Sequence, residues 1–579
     1  MKKTVMAVLA LIAAGLLAQS QSNNEAARAS RHHRISRDLI SVRGDEPVNV
    51  IVQFKQQPTE RQHRTILDGG GRFKASLEAI KGGAYSVPAS RLAELADDPE
   101  VEYVSPDRTV NAMMDISGAA TNAGLAYSSG HDGSGIGVAV IDSGIMDSHP
   151  DLRVTSGASR VVYAESFNLS EGNDYFDRFG HGTHVAGILG GNAFESTGSN
   201  YKRTFRGIAP KVKFVNLRVL DRNGVGTDSM VISAIQRAIS LKSTYNIRVI
   251  NLSLGRPVYE SYRLDPLCQA VEAAWKAGIV VVVAAGNNGR TMTGGINGYG
   301  TINAPANDPY VITVGAMKTM GTPTRSDDLI ASYSSKGPTA VDHIVKPDLV
   351  APGNRIVATV PAGLALTNSY PSNKVMNSYY IVNGANQGSD YYFQLSGTSM
   401  AAPMVSGTAA LMLQAASSLT PDQVKARLMH TASKAFPTTS VATDPVTGIV
   451  YTSQYDIFTV GAGYLDVAAA LADTTVFSGS AQSPTVTRNA QTNVASLLCA
   501  AASICGSQSL WDNKSMWGNQ SLWDNQTLWD SMFFLRGTQS LWDSQSLWDS
   551  QSIWDTQSLW GVSTATGGET SSIAINGEK

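Results

Sequence analysis

Near-continuous runs of β-branched and small apolar residues constrain the fold of this chain more than any other feature. Residues 279–284 lie within IVVVVAA, residues 137–141 are a short apolar strand, and 213–220 and 249–254 read as further strands that include polar residues. A strand with one wet face alternates apolar and polar side chains, whereas an unbroken apolar run suits a strand buried on both faces. Residues 228–242 and 266–276 between these runs have the apolar spacing of amphipathic helices. After Asp308, VITVGA adds a further strand, and helices over 399–416 and 421–431 close the unit. Thr420 is placed as the N-cap of the last helix and Pro421 at its first position. The expected fold class is α/β, a mostly parallel sheet with helices on both faces, whose site should form at the carboxyl ends of the strands.

Other segments flank this unit. Two lysines precede an apolar run from Val5 to Ala18; it is shorter than the ~20 residues of a membrane span, so residues 1–20 are expected to be a secretory signal. A polar, basic stretch over 23–43 reads as a flexible lead-in. A small α+β domain is then expected, with strands at 48–54, 84–87 and 101–104 and helices at 59–67, 75–81 and 90–95, ending in the polar stretch 107–117.

Beyond residue 473 the apolar periodicity fades and a repeat of the form S-L-W-D-x-Q appears. Trp511, Trp517, Trp523 and Trp529 are spaced by six, and Trp542, Trp548, Trp554 and Trp560 resume the phase after MFFLRG. An even period puts every Trp on one face of a strand but walks them around a helix, so strand or coil is preferred. The segment is acidic and aromatic, which suits cell-envelope association, carbohydrate binding or self-assembly; its bland reading is a disordered Ser/Gln-rich appendage. Three cysteines are too few for a disulfide-built scaffold: Cys499 and Cys505 could pair, and Cys268 sits in an apolar helical pattern as a small buried hydrophobe. A net charge of −2 gives no broad electrostatic reason to bind a polyanion, so nucleic acid is not an expected partner.

Three short segments carry the chemistry. In AVIDSG, Asp142 ends a buried strand; its bland reading is a turn-former. In FGHGTHVAG, His181 and His184 stand at a helix start, and no nearby acidic residue or third His completes a metal set. His181 is assigned as the reacting imidazole and His184 as the inward-packing one. In LSGTSMAAP, Ser399 opens a helix, where backbone N–H groups and the positive end of the dipole favour developing negative charge, although Ser is also a favoured N-cap.

Together these motifs resemble the subtilisin-like serine protease family. The resemblance extends to NLSLG at 251–255, AAGN at 284–287, ASYSSKGP at 331–338 and KPDLVAPG at 346–353, and so covers residues 135–472. It implies a catalytic triad in which Ser399 attacks a peptide carbonyl, His181 takes its proton and Asp142 orients the imidazole. It implies oxyanion stabilisation by the Asn287 amide with the Ser399 N–H. Ser253, Leu254 and Gly255 would pair with an extended substrate as an added strand. It also implies an inhibitory propeptide cut away by the enzyme itself, with the cut expected within 111–117. The expected domains are thus a signal at 1–20, a propeptide at 21–112, a catalytic domain at 113–475 and a repeat-bearing region at 476–579. The chemistry requires no cofactor, no metal ligand set is identified, and structural calcium, frequent in the family, is left unassigned. Expected partners are protein or peptide substrates, the chain's own propeptide and, through the tail, the cell envelope. A secreted protein is expected; the alternative function is that of a surface-associated binding protein working through the Trp repeats.

Overall fold

The computed structural model describes residues 34–40, 42, 44–112, 121, 130–155, 157–291, 298–322, 324–444, 447–489, 494–500, 503 and 578. The expected signal, the segment after Ala112 and the Trp repeats lie outside the described residues. The chain divides into two compact units, Met1–Arg108 with Leu264–Pro266, and Thr109–Arg263 with Leu267–Lys579.

In the first unit, β1 (Pro47–Phe54), β2 (Arg72–Leu77), β3 (Gly82–Pro88) and β4 (Val101–Pro106) form one sheet in the order β2-β3-β1-β4. The β1–β3, β1–β4 and β2–β3 pairs are all antiparallel. Helices α1 (Glu60–Asp68) and α2 (Leu92–Asp97) cover it. Val50, Val52 and Phe54, spaced by two on one face of β1, pack with Ile66, Tyr85 and Leu92 in its core. The helix expected over 75–81 is not formed. Ala75 and Leu77 alternate as a strand does and pair with Ala84 and Gly82 of β3, and a three-residue turn at Glu78–Ile80 closes the hairpin. Cross-strand pairing here overrides a local preference for helix.

The second unit begins with β5 (Thr109–Ala112) and contains the expected parallel sheet. Its strands are β6 (Gly137–Asp142), β7 (Val161–Ser166), β8 (Lys213–Arg218), β10 (Ile247–Leu252), β12 (Val280–Ala284), β13 (Ile312–Lys318), β14 (Leu329–Ile330) and β15 (Leu349–Pro352). The order is β14-β13-β12-β10-β6-β8-β7, with β15 also on β13 and only the β13–β14 pair antiparallel. Every residue of β6 and β12 is buried, as the apolar runs 137–141 and 280–284 require, and the burial extends to Asp142 at the end of β6. From β6 the chain lays β7 and β8 on one side and then returns to place β10 on the other. Strand order therefore reverses between β6 and β10, which is where open α/β sheets form their binding crevice.

The helices are α3 (His181–Gly190), α4 (Asp228–Ser240), α5 (Pro266–Lys276), α6 (Thr398–Ala415) and α7 (Pro421–Thr431). Helix α6 is buried from Thr398 to Leu413 and packs on β10, β12, β13, β15 and α3, so it is apolar all round rather than amphipathic. Thr420 caps α7 and exchanges hydrogen bonds with Gln423, with Pro421 at the first position as expected. A small second sheet joins β5 to β9 (Val225–Thr227) and β11 (Leu254–Gly255), both antiparallel to it. Sequence reading treats residues 109–112 as part of a polar stretch; their strand exists because two other segments offer it partners.

Candidate active site

Asp142 ends β6 and His181 opens α3, and the two meet at the strand-order reversal. His181 Nδ1 lies 2.7 Å from Asp142 Oδ1, and both side chains are fully buried. The same carboxylate oxygen accepts the Ser143 N–H at 2.7 Å. Glycine permits this approach. A Cβ on Gly182 would stand 2.2 Å from the Gly144 carbonyl oxygen and 3.1 Å from Asp142 Cβ, so the first turn of α3 reaches the end of β6 only with hydrogen at that position.

Gly180, the N-cap of α3, has no side chain with which to satisfy the first N–H groups of the helix. Asp177 takes over that task. Its Oδ1 accepts from the N–H groups of Phe179 and Gly180 at 3.0 and 2.7 Å, and its Oδ2 from Thr183 N and Oγ1 at 2.8 and 2.6 Å. Ser143 Oγ bridges the two elements, donating to Asp177 at 2.9 Å and accepting the Gly182 N–H at 2.9 Å. Burial pushes the Asp177 carboxyl above the usual range, against the hydrogen bonds from Thr183, Gly180 and Ser143 that lower it. The sequence analysis misses Asp177, Ser143 and Thr183; an acid four residues before a histidine at a helix start was the available signal.

His184 faces away from this pair. Its Nε2 lies 3.2 Å from the carbonyls of both Ile356 and Phe393. Desolvation by burial, and next the charge of His181, push its pKa down to about 3, so the ring is neutral. The two histidines of the motif thus have separate partners, His181 the Asp142 carboxylate and His184 two backbone carbonyls. Among the described residues no group of three or more His, Cys, Asp or Glu is gathered to hold a metal ion, and no calcium site is assigned.

Ser399 is the second residue of α6 and is fully buried, with its Oγ donating to the Ser253 carbonyl at 3.1 Å. Four residues on, Pro403 has no N–H, so the Ser399 carbonyl lacks its helical partner. Ser253 Oγ supplies one at 2.7 Å. Asn251 extends the link, donating to Ser253 Oγ at 3.0 Å and accepting from Ser406 Oγ at 2.8 Å. The segment following β10 is therefore stitched to α6, a role for Asn251 and for the Ser253 side chain that the sequence analysis does not give. Asn287 follows β12 and approaches the same helix start, its Oδ1 accepting from Thr398 N at 2.9 Å and Oγ1 at 3.1 Å. With its oxygen held there, the amide nitrogen is directed elsewhere.

The described contacts thus join Asp142 to His181 directly, Ser399 to Ser253, and Asn287 to Thr398, while α3 packs on α6. Leu254 and Gly255 form β11, paired with Ala112 and Asn111 of β5. Cys268 is a buried free thiol, with Sγ 3.2 Å from Asn307 Oδ1, and Cys499 is disulfide-bonded; Cys505 lies outside the described residues.

A carboxylate fixing an imidazole on α3, with a serine at the start of α6, which packs on α3, suits a hydrolase that works through a serine side chain, and comparison with known proteins narrows the class. Residues 133–454 match the subtilase family. The chain is 36% identical over 401 residues to the serine protease AprX of Bacillus subtilis, covering 66% of this chain and 82% of that protein. It is 33% identical over 389 residues to subtilisin E of the same organism, covering 66% and 84%. Among solved structures, fervidolysin of Fervidobacterium pennivorans shares the fold with a TM-score of 0.55 at 22% identity, over 80% of this chain and 66% of that one. The chain belongs to the subtilase family. It is a serine endopeptidase with the subtilisin-like α/β fold.

Proposed function

We propose that the enzyme hydrolyses peptide bonds through an acyl-enzyme on Ser399, with His181 as general base and Asp142 as its orienting carboxylate, and that it is made as a secreted, self-processed zymogen. The Asn287 amide and the Ser399 N–H receive the oxyanion. Asp142 stabilises the imidazolium formed during attack without itself taking the proton. Ser253, Leu254 and Gly255 present backbone groups to an extended substrate. Substrates are proteins or peptides, and the region 21–112 acts as propeptide and inhibitor.

The observation that carries this reading is the strand Thr109–Ala112. It lies antiparallel between β11 and β9, with Ala112 opposite Leu254 and Asn111 opposite Gly255. A peptide paired in this way is held as a substrate would be. Leu254, opposite Ala112, directly follows Ser253, whose carbonyl accepts from the Ser399 hydroxyl. We therefore expect maturation to cut the chain within 111–117.

Two measurements test the proposal. A fluorophosphonate should label the mature enzyme on Ser399 and leave Ser399→Ala unlabelled; a matured chain that takes no label would instead be a binding protein. Sequencing the secreted product should give a first residue set by a cut within 111–117. A mature protein beginning near Gln21 would refute the self-cleavage.

A further inference from the structure

Glu578 lies far along the chain from the catalytic motifs, yet it is 6% exposed and enclosed by the second unit. Its Oε1 accepts from Arg290 Nη2 at 3.0 Å and from Ser332 N at 2.9 Å, and the Ser332 hydroxyl also donates to it. Lys318 Nζ stands 3.5 Å from Oε2. The main chain of Glu578 is held as well. Asn354 Nδ2 donates to its carbonyl and Asn354 Oδ1 accepts its N–H, each at 3.0 Å. Arg290 and Lys318 each have side chains only 9% exposed. A cavity of about 870 Å³ adjoins the site; Arg203, Arg206, Lys318, Arg355 and Lys374 line it, and among the described residues that line it Glu578 is the one carboxylate. Arg290 is shared, since its Nη1 also pairs with the buried Asp444 at 2.6 Å; its second nitrogen, Lys318, the Ser332 N–H and an amide reading the peptide backbone together form a socket for an acidic peptide.

The socket spans two loops of the catalytic centre. Arg290 is three residues past Asn287, and the adjacent Gly289 N–H donates to the Tyr333 carbonyl at 2.8 Å. On the other side Asn354 follows Gly353, whose carbonyl accepts the Tyr333 hydroxyl at 2.9 Å and the Gly397 N–H at 3.1 Å, two residues before Ser399. Holding Glu578 therefore ties the loop of Asn287 to the loop that supports the start of α6.

We propose that this socket is a docking site for an acidic peptide, that its occupant is the chain's own segment about Glu578, and that occupancy makes Glu578 a positioning residue for the Asn287 loop. The last part rests on the proposed role of Asn287; the docking does not. Full-length Glu578→Gln is expected to lose roughly tenfold in kcat with KM nearly unchanged, the signature of a slightly misplaced transition-state donor. A synthetic peptide of residues 571–579, added in trans, should restore kcat, while the same peptide with Gln for Glu578 should not. Fluorescence anisotropy with the labelled peptide, on full-length Ser399→Ala/Glu578→Gln, reads docking without activity, and binding should be saturable and weaken with salt. Absence of binding overturns the docking site. Binding with an unchanged kcat in Glu578→Gln overturns the positioning role, whereas a wild-type enzyme that cleaves nothing would put the Ser399 reading at fault and leave the docking result standing.

Discussion

At the residue scale, a few buried polar atoms hold the candidate site together. Replacing Ser399 by Ala should lower kcat by ~10⁶, the scale known for loss of the nucleophile in subtilisin, and a residual rate from binding and the oxyanion donors should remain. Asn287→Ala should cost roughly 10²–10³ in kcat and little in KM, because the oxyanion exists only in the transition state. Steady-state kinetics on a peptide substrate checks both. His184 makes a separate prediction about acid. Its folded pKa of about 3 lies below the ordinary value of 6.5, so between these values the unfolded chain binds a proton that the native chain does not. Its contribution to stability is thus present above 6.5 and is lost as pH falls toward 3. The dependence of unfolding free energy on pH over that window should flatten in His184→Gln; an unchanged slope would contradict the assignment. Asp142, His181, Ser399 and Asn287 were legible in the sequence because each sits in a short motif. Asp177 was not, because its partners are backbone N–H groups whose meeting depends on how α3 enters.

At the element scale, α3 and α6 are held by groups that stand in for missing helix partners. Gly180 cannot cap α3, and Asp177 does so from outside the helix. Removing the carboxylate in Asp177→Ala leaves buried N–H groups unpaired, which costs about 1–3 kcal/mol each. The expected outcome is a lower denaturation midpoint together with a lower kcat, since His181 is the first residue of that helix. Ser253→Ala would likewise strand the Ser399 carbonyl that Pro403 leaves unpaired, and a loss of about 1–3 kcal/mol in chemical denaturation would match. A stability equal to that of the parent would mean the carbonyl finds another partner. The major strands and helices of the second unit could be read from period and caps, and α7 matches its expected limits of 421–431. The segment 75–81 could not, because its alternation is short and only β3 decides that it pairs.

At the scale of the whole molecule, a parallel sheet with both faces covered follows from the sequence alone, since unbroken apolar runs of strand length have no wet face to offer. The motif residues and their order follow as well, because local chemistry is written in local sequence. Tertiary structure alone decided that strand order reverses between β6 and β10, that Thr109–Ala112 becomes a strand between β9 and β11, and that Glu578 returns to Arg290 and Asn354. Each of these depends on partners remote in the chain. A polar segment carries no periodic signal of its own, and its conformation is set by which unpaired backbone and charged groups the folded protein holds out to it.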